Sequence, residues 1–194
     1  MVFAGVDEVG RGALAGPVTV ASVVLPKDFD NTTGIKDSKL LSHQKREELF
    51  EIIKGCAVEY SIVSLDVEII DEINILRATM LAMQQSLDSL KIKPTSVLID
   101  GNYSTIIGYN VRTQIKADTH NVTVAAASIL AKVTRDRLMM NELHPLFEQY
   151  QWNKNKGYAT IEHRNAIRTF GITPFHRKSF CKNLLQQIDN ERLF

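Results

Sequence analysis

VFAGVDEVGRG, residues 2–12, is an apolar segment that ends in two adjacent carboxylates and a glycine-flanked arginine. Residues 2–9 of this segment and a second Val-rich run at residues 17–25 are bounded by Gly and Pro, which predicts two paired β-strands. Asp7 and Glu8 stand at the end of the first strand, where neighbouring side chains point to opposite faces unless the chain bulges or turns. Taken alone, an acidic pair at this place is more typical of a solvated sheet edge.

The composition is that of an ordinary globular protein. The chain has 194 residues, 44% hydrophobic and 23% charged, which is enough for one domain or for one domain with a helical appendage. No apolar run approaches the ~18 residues that span a bilayer, and the first residues lack the basic start of a signal peptide. We therefore expect a cytoplasmic protein without membrane association. Cys56 and Cys181 have no metal-ligand spacing and are interpreted as ordinary thiols.

The net charge of +1 conceals an uneven distribution of charge. Residues 47–93 contain nine acidic and four basic residues, whereas residues 151–182 contain seven basic residues and one acidic residue. Aromatic residues are interleaved with this basic segment: Trp152, Tyr158, Phe170, Phe175 and Phe180. The pattern favours contact with a phosphate backbone and stackable sugars or bases, and the alternative is a solvated basic face.

The order of predicted elements indicates an α/β architecture with a mixed sheet. A strand hairpin comes first, and strands then alternate with helices up to about residue 150. Strands are predicted at residues 56–65, 96–100 and 110–115, and helices at residues 43–54, 67–90 with a break near Asn74, and 122–140. Residues 151–194 are predicted to form a separate helical C-terminal region, connected by a joint at residues 150–157, or to pack with residues 1–150 as one unit.

Carboxylates recur where apolar strands end. Asp7 and Asp100 each terminate a strand, so their carboxylates meet if the two strands are neighbours. Clustered carboxylates repel, and a divalent cation relieves the repulsion; oxygen ligands favour Mg²⁺ or Mn²⁺ and thus phosphoryl chemistry. Asp118, ahead of the long helix, is the best further ligand, with a helix-capping role as the alternative. Asp136 competes for that role, but its spacing from Lys132 favours an intrahelical ion pair.

Eight short motifs occur in one order along almost the whole chain. They are AGVDEVGRG (4–12), DSK (37–39), NILRATM (74–80), LIDGN (98–102), KAD (116–118), AAASILAKVTRD (125–136), KGY (156–158) and HRKSF (176–180). Each motif is weak by itself, but the ordered set is specific. With these motifs the sequence resembles ribonuclease HII, the bacterial type 2 ribonuclease H.

The resemblance implies a ribonuclease H-like fold, in which residues 1–150 form the catalytic domain and residues 151–194 a helical substrate-binding region. It implies hydrolysis of RNA in RNA/DNA hybrids and incision 5′ of single ribonucleotides in duplex DNA, leaving 5′-phosphate and 3′-hydroxyl ends during ribonucleotide removal in replication and repair. The family's four carboxylates, which hold two divalent cations, Mg²⁺ or Mn²⁺, fall on Asp7, Glu8, Asp100 and Asp118. Asp7 is expected to be the ligand that both cations share.

The resemblance also implies how the sugar is recognised. The family's Gly-Arg-Gly loop matches Gly10, Arg11 and Gly12 and is expected to contact the 2′-hydroxyl at the junction between ribose and deoxyribose. Tyr158 is expected to pack on the neighbouring deoxyribose. Ala13 stands where the family usually has proline, so we expect a less rigid loop.

Phosphate contacts are expected from Lys39, Lys178 and Arg177, and the alternative for each is exposed surface charge. Leu40 follows Lys39 where a second lysine is common, which removes one expected phosphate contact. His176 either orients a phosphate or caps a loop, and it is not placed among the catalytic residues.

Other functions remain open at this stage. Another nuclease of this fold, such as ribonuclease HIII or a resolvase-like enzyme, is the main rival; a nucleic-acid-binding module without catalysis and a small-molecule phosphatase are the others. The last residues, Leu193 and Phe194, faintly resemble a sliding-clamp-binding peptide, and the end of an amphipathic helix is the alternative. We expect a monomer.

Overall fold

A mixed five-stranded sheet forms the centre of the molecule, whose computed structural model describes residues 2–191. The strands are β1 (Phe3–Val9), β2 (Val18–Val24), β3 (Glu59–Leu65), β4 (Ser96–Asp100) and β5 (Val111–Gln114). Their order across the sheet is β3-β2-β1-β4-β5. β2 is antiparallel to both of its neighbours, whereas β4 runs parallel to β1 and β5. The predicted mixed sheet is thus confirmed.

Helices cover the sheet and form the C-terminal region. They are α1 (His43–Cys56), α2 (Val67–Asp88), α3 (Ala117–His120), α4 (Val122–Arg137), α5 (Trp152–Asn155), α6 (Ile161–Phe170) and α7 (Lys178–Glu191). Ser42 caps α1 as predicted, because its hydroxyl accepts a hydrogen bond from the Lys45 amide. β3 starts at Glu59 rather than at Cys56 because α1 continues through Cys56. Within residues 2–191, no helix has both the length and the apolarity to cross a membrane.

The predicted break in α2 is a single residue. Asn74 has a φ of 67° and a ψ of 163°, a backbone conformation that residues other than glycine rarely adopt. Its side-chain carbonyl accepts hydrogen bonds from the amides of Leu76 and Arg77, which caps the second half of the helix. The cap therefore offsets part of the backbone strain.

The first strand lies unusually close to α4. A Cβ atom at Gly5 would lie 2.5 Å from the backbone of Thr123 and Val124, so only glycine lets the helix approach the strand to this distance. The small residues Ala125, Ala126 and Ala127 are buried in the same contact. This close packing brings Ser128 of α4 next to the end of β1.

The C-terminal region packs against the end of the loop that follows β1. Its core is made of Ala15, Met139, Leu143, Tyr150, Trp152, Ala166, Ile167 and Cys181. Tyr150 and Trp152, in the segment where the sequence predicted a joint, are buried. Trp152 therefore packs inside the protein and is not a platform for nucleic-acid bases. Beyond residue 145 the described chain is helical or irregular, apart from one bridge between Ala15 and His176.

Candidate active site

Three carboxylates meet where β1 and β4 end. The two strands are parallel neighbours, with Val6 opposite Ile99, so Asp7 and Asp100 leave the sheet side by side. Asp118 lies on α3, which begins after Lys116 adopts a left-handed conformation. Ligand oxygens of Asp7, Asp100 and Asp118 all lie within 4.8 Å of one another. The sequence prediction that these acids form one site is consistent with this geometry.

Hydrogen bonds fix two of these carboxylates to the backbone. Asp7 accepts a 2.7 Å bond from the amide of Glu8, and Asp100 accepts a 2.8 Å bond from the amide of Ala117. The second bond joins Asp100 to the residue directly before Asp118. The relative positions of the acids are therefore set by the main chain and not by flexible side chains alone.

Glu8 lies beside this group but is turned toward the loop. Its carboxylate forms an ion pair with the Arg11 guanidinium at 3.1 Å. Burial raises the pKa of Glu8, while the charge of Arg11 opposes that rise. The other carboxylate oxygen of Glu8 is buried without a hydrogen-bond partner. Glu8 thus retains one buried ligand atom beyond its contact with Arg11.

Burial makes the negative charge in this group costly. Burial and the neighbouring Glu8 charge raise the pKa of Asp7 well above its ordinary value. Burial also raises the pKa of Asp118, and the ammonium group of Lys39, 3.6 Å away, opposes that rise. One oxygen of Asp118 is buried without a hydrogen-bond partner. Converging, under-compensated carboxylate oxygens are the ligands that a hard divalent cation requires, so these residues fit Mg²⁺ or Mn²⁺.

A groove of about 190 Å³ opens beside Asp7 and Glu8. Its walls are formed by Val9, Ser38, Lys39, Arg46, Ser128, Lys132 and Tyr158. A hydrogen bond from the Ser128 side chain lowers the pKa of Asp7 and so opposes part of the effect of burial. The groove therefore has an acidic floor and three basic side chains around it, an arrangement suited to a phosphodiester with bound cations.

Comparison with known sequences assigns the family. The family model described as Ribonuclease HII matches residues 4–183.

The chain belongs to the ribonuclease HII family.

A ribonuclease HII of Syntrophus aciditrophicus (strain SB) is 48% identical over 179 residues, which cover 92% of this chain and 84% of the relative. The ribonuclease H2 of Pyrococcus horikoshii OT3 superposes with a TM-score of 0.78 at 27% identity and covers 97% of this chain and 99% of that one. The ribonuclease HII of a PCNA:RNase HII complex from Archaeoglobus fulgidus has a TM-score of 0.74 at 30% identity, with 91% and 94% covered.

Family membership establishes the type of reaction and the class of substrate. The protein is a metal-dependent endoribonuclease of the ribonuclease HII family with a ribonuclease H-like fold, and RNA/DNA hybrids are its class of substrate. The rival interpretations as a binding module without catalysis and as a small-molecule phosphatase are therefore wrong.

The Gly-Arg-Gly loop of ribonuclease HII uses its two glycines differently in this chain. Gly10 has a φ of 89°, and a Cβ atom there would lie 2.2 Å from Nε of Arg135. A Cβ atom at Gly12 would meet nothing within 4 Å. Gly10 is thus required by the fold, whereas Gly12 leaves open space beside the exposed Arg11.

The other predicted substrate-binding residues occupy different positions. Tyr158 lines the groove, and the Lys132 ammonium lies 6.0 Å from its ring centre. Lys39 and Lys178 are exposed. Arg177 is fully buried and donates hydrogen bonds to backbone carbonyls, so neither its predicted phosphate contact nor the alternative of a surface charge is supported by this geometry.

Sequence reasoning also left out residues that line the groove. Ser128 and Lys132 fall inside a quoted family motif, so the motif itself was the available signal. Arg46 has no signal beyond its charge, because its place in the groove arises from the packing of α1. Lys132 forms a 2.9 Å ion pair with Asp136, which confirms the predicted intrahelical pair and leaves Asp136 outside the carboxylate group.

His176 does not face a phosphate. It is buried, and its Nδ1 accepts a hydrogen bond from the Thr173 amide while its Nε2 lies 3.1 Å from Nε2 of His163. His163 in turn contacts the Trp152 indole and the Tyr158 carbonyl. Burial and the neighbouring His163 lower the pKa of His176 to about 3, so both rings form a neutral internal network.

Proposed function

We propose that this enzyme incises DNA duplexes 5′ of an embedded single ribonucleotide, in addition to cleaving RNA in hybrids, and that it does so with two divalent cations. The observation that carries the proposal is the adjacency of the two parts of the site. Asp7 and Glu8 lie in the last three residues of β1, the Gly10–Gly12 loop follows the strand directly, and Tyr158 lines the same groove. Such a site brings the residues that would distinguish ribose close to the bond that would be cut.

The four acids have distinct roles in this proposal. Asp7, Asp100 and Asp118 would hold the cations, with Asp7 shared between them, and Glu8 would complete the set with its unpartnered oxygen. The chemistry that such cations would supply is a water activated for in-line attack and stabilisation of the charge on the leaving 3′-oxygen. The products would carry 5′-phosphate and 3′-hydroxyl ends. The ordered backbone bonds to Asp7 and Asp100 would keep the ligands in place without reorganisation.

The Gly10–Gly12 loop would distinguish ribose from deoxyribose. Exposed Arg11 and the open space at Gly12 allow backbone groups to approach a 2′-hydroxyl. Tyr158 would pack on the deoxyribose that follows, where a 2′-hydroxyl would obstruct close contact. This arrangement selects a ribonucleotide–deoxyribonucleotide junction.

Phosphate contacts would position the duplex without reading its sequence. Lys39 and Lys178 are exposed for such contacts, and Arg46 and Lys132 add positive charge along the groove. We further propose that the enzyme works as a monomer in the cytoplasm, in ribonucleotide removal during replication and repair.

A sliding clamp is a second proposed partner. The solved complex of a 30% identical ribonuclease HII from Archaeoglobus fulgidus contains PCNA, and this supports a clamp contact by this chain. The predicted contact residues Leu193 and Phe194 lie outside the described residues. A pull-down with the clamp, using the full chain and a variant without these two residues, tests the contact. We expect the full chain to bind the clamp and the shortened variant to lose binding.

The main experiment uses three labelled duplexes: one with a single ribonucleotide in DNA, one RNA/DNA hybrid and one all-DNA. Each is incubated with Mg²⁺, Mn²⁺ or chelator, with wild type, Asp7→Asn and the exposed control Asp28→Asn. We expect a cut 5′ of the ribonucleotide that chelator and Asp7→Asn abolish and Asp28→Asn retains. Equal cutting of the all-DNA duplex would show that the loop and Tyr158 do not read the sugar.

A further inference from the structure

Two arginines are buried beneath the loop that follows β1. Arg135 of α4 and Arg177, directly before α7, both have 0% of their surface exposed. Neither forms an ion pair with any acid among residues 2–187, the part of the chain whose side chains are described. Burial lowers the pKa of Arg135, and burial together with the neighbouring Arg135 charge lowers the pKa of Arg177 to about 9. Two adjacent buried cations without a counter-charge are costly, so the fold must use them for something that apolar residues could not supply.

Every nitrogen of the two guanidinium groups donates to a backbone carbonyl. Arg135 donates to Pro17, Ala15 and Lys156 at 2.8 to 2.9 Å. Arg177 donates twice to Gly16, at 2.8 and 3.0 Å, and once to Arg11 at 2.8 Å. Five of these six bonds end between β1 and β2: one on Arg11 of the Gly10–Gly12 loop, and four on residues 15–17, which follow it.

The sixth bond links the loop to the segment that carries Tyr158. Arg135 bonds Lys156, two residues before Tyr158, and its guanidinium carbon lies 5.4 Å from the centre of the Tyr158 ring. The amides of Leu14 and Ala15 both donate to the Gly157 carbonyl, so direct backbone bonds also join the chain after the loop to the residue before Tyr158. The planar fork of arginine holds several carbonyls at fixed positions relative to one another, whereas the donors of lysine all lie on one freely rotating ammonium nitrogen.

We propose that Arg135 and Arg177 are positioning residues that set the separation between the Gly10–Gly12 loop and the Tyr158 ring, and thereby determine selectivity for the ribonucleotide–deoxyribonucleotide junction. This inference rests on the proposed function, because it assigns both ends of that separation to the sugar on either side of the junction. Neither arginine touches the reacting atoms.

The test uses Arg135→Lys and Arg177→Lys, which keep a long side chain with a nitrogen donor and lose the guanidinium fork. Ile53→Val, a core change in α1, serves as a control for lost stability. For each protein, kcat and KM are measured on the single-ribonucleotide duplex and on a continuous RNA/DNA hybrid. Hydrogen exchange is followed at the amides of residues 14–16.

We expect each lysine variant to lose at least about tenfold in kcat/KM on the junction duplex relative to the hybrid, and to exchange faster at residues 14–16. Ile53→Val should keep the wild-type ratio. Equal losses on both duplexes, unchanged exchange at the loop, or failure of both lysine variants to fold would overturn the inference, since a merely structural role would then suffice. A wild-type enzyme without preference for the junction would instead count against the proposed function, and loop exchange would still show whether the arginines hold the loop.

Discussion

The carboxylate of Asp100 accepts a 2.8 Å hydrogen bond from the backbone amide of Ala117. The bond connects the end of β4 to the start of α3 and so fixes Asp100 relative to Asp118, the next residue along that helix. Both acids place a carboxylate oxygen within 4.8 Å of one from Asp7, and one oxygen of Asp118 is buried without a hydrogen-bond partner. Such a site is strained by repulsion until a cation binds, and cation binding should therefore stabilise the folded protein.

The first prediction concerns this stabilisation. Saturating Mn²⁺ should raise the Tm of wild type by several degrees, since binding at 100 times Kd contributes about 2.7 kcal/mol. Asp100→Asn and Asp118→Asn should lose most of the rise because each removes a ligand. Asp136→Asn, a buried acid paired with Lys132, should keep it. Thermal unfolding with Mn²⁺ and with chelator measures the difference, and an equal rise in all four proteins would place the cation elsewhere.

The second prediction separates the two loop glycines. Gly10→Ala combines a positive φ with a Cβ atom 2.2 Å from Arg135, so we expect unfolding free energy to fall by about 1–3 kcal/mol or more. Gly12→Ala meets open space and should leave stability within about 0.5 kcal/mol of wild type. Urea unfolding compares the two, and the reverse order would contradict the structure. Lost junction cleavage by a stable Gly12→Ala protein would support close approach of the sugar at that position.

The third prediction concerns Lys39, whose ammonium lies 3.6 Å from Asp118. Lys39→Gln removes a positive charge that competes with a cation, so Mn²⁺ should bind more tightly, by a few-fold. Binding of the duplex should weaken. The steepness of log K against log salt should fall by about one, the value expected for the loss of one phosphate contact. Lys54→Gln, on the surface of α1, is the matched control. Calorimetry and binding titrations over a range of salt report both effects; weaker Mn²⁺ binding would mean that Lys39 supports the site rather than competing.

The fourth prediction follows from the neutral histidine pair. Burial lowers the pKa of His176 to about 3, whereas an unfolded histidine titrates near 6.5. Between these values the unfolded chain binds the proton and the folded chain does not, so stability falls as pH falls below about 6.5. The loss is about 1.4 kcal/mol per pH unit for each such proton, or about 2 kcal/mol between pH 6.5 and pH 5 for His176.

His176→Asn keeps an acceptor for the Thr173 amide and removes the titrating ring. Urea unfolding of both proteins at pH 7, 6 and 5 should therefore show a shallower decline for the variant. Because both proteins contain the same buried carboxylates, the difference isolates the histidine. Parallel pH curves would show that folding does not lower the pKa of His176.

The fifth prediction concerns the break in α2. Asn74→Ala removes the cap on Leu76 and Arg77 and leaves a non-glycine residue at a φ of 67°, which should cost about 1–3 kcal/mol in unfolding free energy. Asn74→Gly also loses the cap but adopts this φ without strain, so it should cost less. Chemical unfolding ranks the two variants, and equal losses would mean that backbone strain at this residue is negligible.

Local patterns in the sequence were sufficient to predict the strands, the Ser42 cap and the break at Asn74. Alternation, capping and helix interruption depend on neighbouring residues, and each of these features is confirmed by the structure. The acids of the site were predicted from their positions at strand ends, because the ends of neighbouring parallel strands lie at the same edge of such a sheet. The metal-ligating role of the acids and the sugar-reading role of the loop remain proposals.

Long-range packing determined which residues of the basic C-terminal segment are buried, and the sequence did not predict this. The basic segment near the C-terminus predicted an exposed, stackable surface, yet Trp152 and Arg177 are buried within it. Whether an arginine meets a phosphate or a carbonyl depends on which loop packs over it, and Arg177 contacts Arg11, 166 residues earlier in the chain. Charge and spacing do not encode such a contact.

The sequence by itself determined the order of strands and helices, the acids at the strand ends and the family, because periodicity, capping and ordered motifs are local properties of the chain. Only the tertiary structure decided that three acids converge, that Glu8 turns toward Arg11, and that two buried arginines hold the loop near Tyr158. These relationships arise when residues far apart in the chain compete for the same buried space and the same hydrogen-bond partners, and that competition is resolved only in the folded protein.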